Sequence, residues 1–310
     1  IDGSALELPH SKEIVDYFGV NSDKNQVPMA KISTMYDLLN NIILDSDIAK
    51  IHESEYNQAI HHLTMLKKDD ILILDRGYAA RWLFYILTCK KVDYVVRLQH
   101  ESGNDIDQFW NSLFEEMVLS IEELPRKSQS RLNELNIPYQ PFKIRLIKVL
   151  LDNGKIEVLA TSLLDVAKYP REIFKELYQL RWGIETNYSH LKNHIEIGNF
   201  TGYSVQVIKQ DFYANALLSN IQSLIIRDAQ QKLNLKTHER KYEYKINKNL
   251  SLGYLKDRVL KILLTDDKNY YQELVELFQI EPVPVRKGRK FPRESSRHKK
   301  KYHKNQNRSK

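Results

Sequence analysis

The sequence is short of cysteine, of glycine-rich segments and of long apolar runs, and each shortage excludes a class of protein. A single cysteine, Cys89, in 310 residues leaves no internal disulfide and no cysteine-based zinc cluster, so a reducing cytoplasm is the expected compartment. No apolar run approaches the roughly 18 residues that a membrane span needs, and the first residues lack signal-peptide form. No glycine-rich phosphate loop and no internal repeat is visible. Acidic charge is lacking only at one end. Of the net +7, the stretch from Arg286 to Lys310 holds 12 Lys/Arg against Glu294, or +11, which leaves 7 − 11 = −4 for the remainder. Basicity belongs to a tail, so the isoelectric point alone is a poor argument for nucleic-acid binding. The tail has two open readings, salt-dependent contact with phosphates and a solubilising disordered end.

What is present in strength is the stretch from Ile173 to Ile195. On an ideal helix, at about 100° per residue, Tyr178, Arg181, Glu185 and Lys192 fall at roughly 0°, −60°, −20° and −40°. Ile173, Leu177, Leu180, Ile184, Leu191 and Ile195 fall on a second stripe, with Tyr188 at its edge, the pattern of a helix docked on a core. Pro170 is expected to open the helix and Gly198 to end it. A carboxylate flanked by two cations and a phenol suits phosphodiester chemistry. The carboxylate can hold a divalent metal, and the arginine fork and the lysine point charge can hold phosphate oxygens. The same residues also read as a solvated face with an i,i+4 Arg–Glu pair worth roughly 0.2–0.5 kcal/mol. Gly183 costs ~1 kcal/mol relative to alanine inside a helix, and close approach, to the sheet or to DNA, would explain it.

Tyr178, Arg181, Glu185 and Lys192 in the spacing Tyr-x2-Arg-x3-Glu-x6-Lys match the YREK signature, and the chain resembles the DDE transposases of bacterial insertion sequences, IS-four group. In that family the glutamate is the third acid of the active site, the first aspartate ends a strand, and the second ends a hydrophobic strand. Asp2 in Ile-Asp-Gly-Ser and Asp75 in Ile-Leu-Ile-Leu-Asp-Arg-Gly-Tyr stand in the expected order. The resemblance runs from Asp2 to about residue 225. It implies an α/β fold, a ribonuclease-H-like core of mixed sheet flanked by helices, with a mainly β insertion between the second and third acids.

Taken in order, the chain fits that frame. The first strand, and the DNA-end-binding helices that precede it in the family, are expected to be missing before Asp2. Residues 3–28 read as irregular, with Pro9, Gly19 and Pro28 as punctuation. Ala30–Leu39 and Asn41–Ile51 read as strands joined at Asn40-Asn41, and Glu53–Leu66 as a helix with Ser54 as cap. Ile71–Leu74 reads as a strand buried on both faces. Asp75 follows it, where α/β folds place ligands; capping of the next helix is the plainer alternative. Asp69 and Asp70 lie at the wrong end of that strand. A helix at Ala79–Lys91 and a strand at Val92–Leu98 complete the first core part, residues 1–99. Residues 100–140 are helix-prone, with Trp110, Phe114 and Met117 as packing residues. Phe142–Leu151 and Lys155–Leu164 flank Asp152-Asn153-Gly154, a strong hairpin signal, so residues 100–165 form the insertion. Residues 166–278 form the second core part, with a long helix from Val205 to Leu233 and shorter ones at Leu252–Leu264 and Tyr270–Phe278. Residues 279–310 are the basic tail. His61 and His62 are adjacent and point apart. His190 and His194 have metal-ligand spacing but lie off the Glu185 stripe.

The resemblance further implies Asp2, Asp75 and Glu185 as catalytic and metal-ligating, with two Mg²⁺ ions (Mn²⁺ as substitute). It assigns Tyr178, Arg181 and Lys192 to the phosphates of the transposon end. Trp182 either stacks on a flipped base or packs. Arg76 either approaches the DNA backbone or pairs with an acid. The expected partner is double-stranded DNA, as terminal inverted repeats and target, bound by a homodimer in a bacterial nucleoid-associated setting, with no membrane. The expected activity is metal-dependent cutting at transposon ends followed by 3′-hydroxyl strand transfer. Two alternatives stand beside it: a metal-dependent nuclease of the same fold and a non-catalytic DNA-binding remnant.

Overall fold

The computed structural model describes residues 1–21, 26–100, 102–265 and 268–286; of the tail read as disordered over 279–310, the part from 287 lies outside them, and Val283–Pro284 is instead a short strand antiparallel to Tyr244–Lys245. The elements in order are β1 (Asp2–Glu7), α1 (Lys12–Phe18), β2 (Met29–Asp37), β3 (Ile42–Lys50), α2 (Glu55–His62) and β4 (Ile71–Leu74). After a 3-10 turn at Arg76–Tyr78 come α3 (Arg81–Cys89), β5 (Asp93–Arg97), α4 (Asn104–Asn111), β6 (Glu116–Ile121), α5 (Arg126–Glu134), β7 (Phe142–Leu150) and β8 (Ile156–Thr161). Then follow α6 (Ile173–Gln179), α7 (Trp182–His190), a π-turn at Leu191–Ile195, α8 (Val205–Thr237), β9 (Tyr244–Lys245), α9 (Lys248–Lys256), α10 (Val259–Leu264), α11 (Lys268–Leu277) and β10 (Val283–Pro284). No described helix is long and apolar enough to cross a membrane.

The chain divides into two units. The first comprises Ile1–Ser4, Ser33–Leu38 and Glu53–Thr186, the second Ala5–Ile32, Leu39–His52 and Asn187–Lys310. β1, β2 and β3 neighbour one another in that order, and β1 and β2 contribute residues to both units.

The first unit is built on a five-stranded mixed sheet of order β4-β5-β8-β7-β6. β4 and β5 are parallel, with Leu74 opposite Val96, and the remaining pairs are antiparallel. Its central strands carry apolar residues on successive positions, as at Leu72–Leu74, Tyr94–Val96 and Val158–Ala160, because both faces are covered there. Leu72, Leu74, Tyr94, Val96, Leu146 and Ala160 face one cluster, which includes Trp82–Leu87 of α3. Ile73, Val95, Ile147 and Leu159 face the other, with Phe174 and Tyr178 of α6. The hairpin at residues 142–161 is therefore part of the same sheet as β4 and β5. Arg145 of β7 is only 1 % exposed. It pairs with Glu116, donates Nη1 to the carbonyls of Tyr169 (2.7 Å) and Leu163 (3.3 Å), and stacks on Phe174. A buried charge needs that degree of compensation.

The second unit is organised on α8, which has Ser204 as N-cap. Asn220 donates to and accepts from the backbone of Ile43 in β3, both at 2.8 Å. Ile225, Ala229 and Leu233 pack with Leu255 of α9 and Leu274, Val275 and Phe278 of the last helical segment.

Several expectations need correction. Asp2 lies in β1, and much of residues 3–28, read as irregular, is β1 and α1. Leu6 and Leu8 are buried, but Ser-Ala-Leu-Glu-Leu has no β-branched residue to announce a strand. The helix expected up to Leu66 ends at His62, and Ser54 occupies its cap position without a side-chain cap bond. A strand, β6, runs through the stretch read as helical, and Phe114 is 69 % exposed instead of packed. The helix expected over Leu252–Leu264 is split into α9 and α10. Glu196, with φ 61°, ends the π-turn, so Gly198 is not the stop.

Candidate active site

The signature helix is not one ideal helix. Arg181 N bonds Tyr178 O, Gly183 N bonds Leu180 O and Ile184 N bonds Arg181 O. These i→i+3 bonds tighten the chain between α6 and α7 toward 3-10 geometry, and the π-turn loosens it again at Lys192. Rotation per residue therefore departs from 100° on both sides of Glu185, so Tyr178, Arg181, Glu185 and Lys192 are not spaced as on an ideal helix. Tyr178 turns into the core: its ring joins the cluster under the sheet, and its hydroxyl is buried without a hydrogen-bond partner. Burial pushes its pKa up to about 12. Leu180, expected on the buried stripe, is exposed, whereas Ile184, Tyr188, Leu191 and Ile195 are buried.

Arg181 and Glu185 do meet. Arg181 Nη2 donates to Glu185 Oε1 at 2.7 Å, with Glu185 at 39 % side-chain exposure. The guanidinium carbon lies 5.0 Å from the Trp182 ring centroid and 5.9 Å from that of Tyr178. Burial opposes its charge, but the bond to Glu185 and the charges of Glu185 and Asp2 outweigh this and raise its pKa. Its Nε is buried without a partner. Gly183 permits the close packing of this turn, since a Cβ there would stand 2.9 Å from Leu38 Cδ2. Of the two explanations for this glycine, the fold supplies one.

Asp75 follows β4, and Asp2 opens β1. Asp75 Oδ1 accepts from Gly77 N at 2.8 Å and caps the 3-10 turn. Gly77 makes room for this carboxylate, because a Cβ there would lie 3.0 Å from Oδ1. Asp2 Oδ1 accepts from Gly3 N at 2.9 Å. Burial raises the pKa of Asp2, the Gly3 bond opposes that rise, and the negative charge of Asp75 adds to it. Arg76 is exposed. Trp182 is 51 % exposed.

Lys192 belongs to the second unit. Its ammonium donates to the carbonyl of Ala5 at 2.9 Å, and burial lowers its pKa. His190 is buried there as well, with Nε2 2.9 Å from Gln222 Oε1; burial lowers its pKa. Its ring lies 5.5 Å from that of His194.

Arg97 is a residue that the sequence reading passed over. It ends β5, in parallel register with the strand that delivers Asp75, pairs with Glu157 at 2.7 Å, and lies near enough to Tyr178 to act on its ionisation. The signal was available: a charged residue at the carboxyl end of a strand parallel to β4 shares the end at which Asp75 stands.

Carboxylate oxygens are hard donors that suit Mg²⁺ or Mn²⁺, and Asp2 and Asp75 feel one another's charge as a cation site requires. Glu185 is engaged by Arg181. Among the described residues no group of three or more His, Cys, Asp or Glu side chains is arranged to hold a metal ion. The donor set thus fits in its chemistry and in one pair, and its third arm is committed to an ion pair.

The family model of the transposase DDE domain matches residues 1–221. The chain belongs to the DDE transposase family. No curated protein matches it. Among solved structures it is similar to the piggyBac transposase in a cryo-EM synaptic complex with hairpin DNA. The match has a TM-score of 0.46 at 11 % identity and covers 92 % of this chain and 57 % of that chain, so this transposase domain spans little more than half the length of that relative.

Proposed function

We propose that this chain is the catalytic core of a DNA transposase of the IS-four group, with a ribonuclease-H-like core at residues 1–99 and 166–278 and an insertion at 100–165. Asp2, Asp75 and Glu185 are its metal-ligating acids. The observation that carries this reading is electrostatic: Asp2 and Asp75 are like charges close enough to raise the Asp2 pKa, and Arg181 acts on both Asp2 and Glu185. Carboxylates in that relation favour a bound cation over the empty state.

When bound, two Mg²⁺ ions would supply charge neutralisation and nucleophile activation for in-line phosphoryl transfer. The chain's own groups do the rest. Arg181, bonded to Glu185 and braced by Trp182 and Tyr178, offers its fork to a phosphate oxygen, and Glu185 is released as the guanidinium turns to the phosphate. Tyr178 acts from within the core as the support of Arg181. Lys192 and Arg76 supply further positive charge to the DNA backbone, and Trp182 offers a face on which a base can stack. Water attacks the scissile phosphorus in line, the bond to the leaving 3′ oxygen breaks, and the 3′-hydroxyl so formed attacks a second phosphodiester. The partner is duplex DNA, as transposon ends and target, held by a homodimer.

The committed Arg181–Glu185 pair favours one second reading, a remnant that binds DNA without cutting it. The deciding experiment incubates the chain with labelled duplex carrying the ends of its own element, with Mg²⁺ or Mn²⁺. Nicking followed by joining of the 3′ end to target DNA supports the transposase, nicking without joining indicates a nuclease, and binding without either indicates the remnant.

A further inference from the structure

The second unit carries a cleft that the proposed chemistry does not use. It has a volume of about 480 Å³ and lies along α8, between the turn at Leu39–Asn41 and the segment Glu243–Lys248. Three cations line it, Arg227, Lys245 and Lys248, against one carboxylate, Glu243.

These cations are poorly compensated. Among the described residues Arg227 pairs only with its chain neighbour, with Nε 3.5 Å from Asp228 Oδ1, and the other oxygen of Asp228 accepts from the Tyr271 hydroxyl at 2.6 Å. Lys245 and Lys248 form no ion pair among the described residues. Lys248 stands in the first turn of α9, which contains no acid, so its charge opposes the positive end of the helix dipole. Burial, and then the charge of Lys245, lower the Lys248 pKa. The amide of Gln230, by contrast, is spent on structure. It donates to Asn234 and to the Tyr244 carbonyl and accepts from Ile246 N, which fixes the strand that presents Lys245.

Three cations brought together in one cleft, two of them without an ion pair among the described residues and the third held only by a long contact to its chain neighbour, suit an external anion. We infer that this cleft binds the phosphodiester backbone of duplex DNA through Arg227, Lys245 and Lys248, as a second contact apart from the carboxylates. The inference rests on the transposase reading for its ligand.

The test measures binding of a short labelled duplex of arbitrary sequence to the whole chain, without divalent metal, as a function of salt. Compared are the wild type, Lys245→Gln/Lys248→Gln, the charge-keeping Lys245→Arg/Lys248→Arg, and Lys67→Gln/Lys68→Gln, which removes the same charge from an exposed loop. Because log K falls with log salt by about 0.9 per phosphate contact, the glutamine pair in the cleft should lower the slope by roughly 1–2 and weaken binding about tenfold or more. The arginine pair should bind like the wild type. Acetylation footprinting, read by mass spectrometry, should show DNA protecting Lys245 and Lys248 but not Lys67. Cleft and loop glutamine variants that bind alike, or unprotected cleft lysines, would overturn the inference while leaving the transposase reading intact. A wild type that binds no duplex at low salt would overturn both.

Discussion

Two regions of this chain bring like charges near one another, and they do so with opposite signs. At Asp2 and Asp75, burial and a neighbouring carboxylate raise an acid's pKa. At Lys245 and Lys248, burial and a neighbouring ammonium lower a base's pKa. Arg145 is the contrast to both. It is more deeply buried than either, yet Glu116 and two carbonyls answer its charge. The difference separates a charge that the fold answers from charges whose ionised form burial and a like neighbour oppose. Removing the first should destabilise the protein, and neutralising the second should stabilise it.

The largest effect should come from the compensated charge. Arg145→Met leaves Glu116 and the carbonyls of Leu163 and Tyr169 without their donor, and should cost about 3 kcal/mol in denaturant unfolding. A neutral result would erase the contrast.

The next effects are smaller and opposite in sign. Asp2 has a raised folded-state pKa, so its favourable contribution is complete below the unfolded-state pKa and is lost as pH rises through the folded-state value. Asp2→Asn should therefore raise the melting temperature at neutral pH, and the gain should vanish below the ordinary carboxylate range. Lys248 has a lowered folded-state pKa, so its contribution is complete above the ordinary lysine pKa and is lost as pH falls through the folded value. Lys248→Gln should stabilise at neutral pH by less than Asp2→Asn, because Lys248 keeps much of its surface in water, and the gain should fade in strong alkali. Melting scans across pH check both signs.

The smallest effect is expected at Gly183. Alanine gains ~1 kcal/mol of helix propensity, but its methyl meets the end of the Leu38 side chain, which can swing aside at similar cost. Gly183→Ala should shift unfolding by less than about 1 kcal/mol. A large loss would mean that the turn between α6 and α7 is packed more rigidly than its hydrogen bonds indicate.

The comparison also shows what a linear sequence can reveal. The apolar run Ile71–Leu74 ending in Asp75, and the hairpin around Asp152-Asn153-Gly154, were legible because strand and turn signals are local. The i,i+4 spacing of Arg181 and Glu185 survived because it needs only one turn of helix. The wider stripe was the less secure reading, because an angle summed over fourteen residues shifts once a tight turn and a π-turn alter the rotation, and the burial of Tyr178 under the sheet needed the tertiary fold. Arg97 needed the parallel register of two strands. Lys245 and Lys248 sit in a polar segment with no periodicity, and only the tertiary course of the chain along α8 joins them to Arg227.

The central claim is that Asp2 and Asp75 serve metal-dependent DNA cutting with Glu185 as the third ligand. It is tested most directly by measuring Mg²⁺- and Mn²⁺-dependent nicking of duplex carrying the element's ends, with the wild type beside Glu185→Gln, and duplex binding recorded for both. Several kcal/mol of transition-state stabilisation are at stake, and each 1.36 kcal/mol is tenfold in rate. The variant should therefore cut at least about a hundredfold more slowly while it binds DNA as well as the wild type. Equal, metal-dependent cutting by both proteins would contradict the account and leave Glu185 as the partner of Arg181 and nothing more.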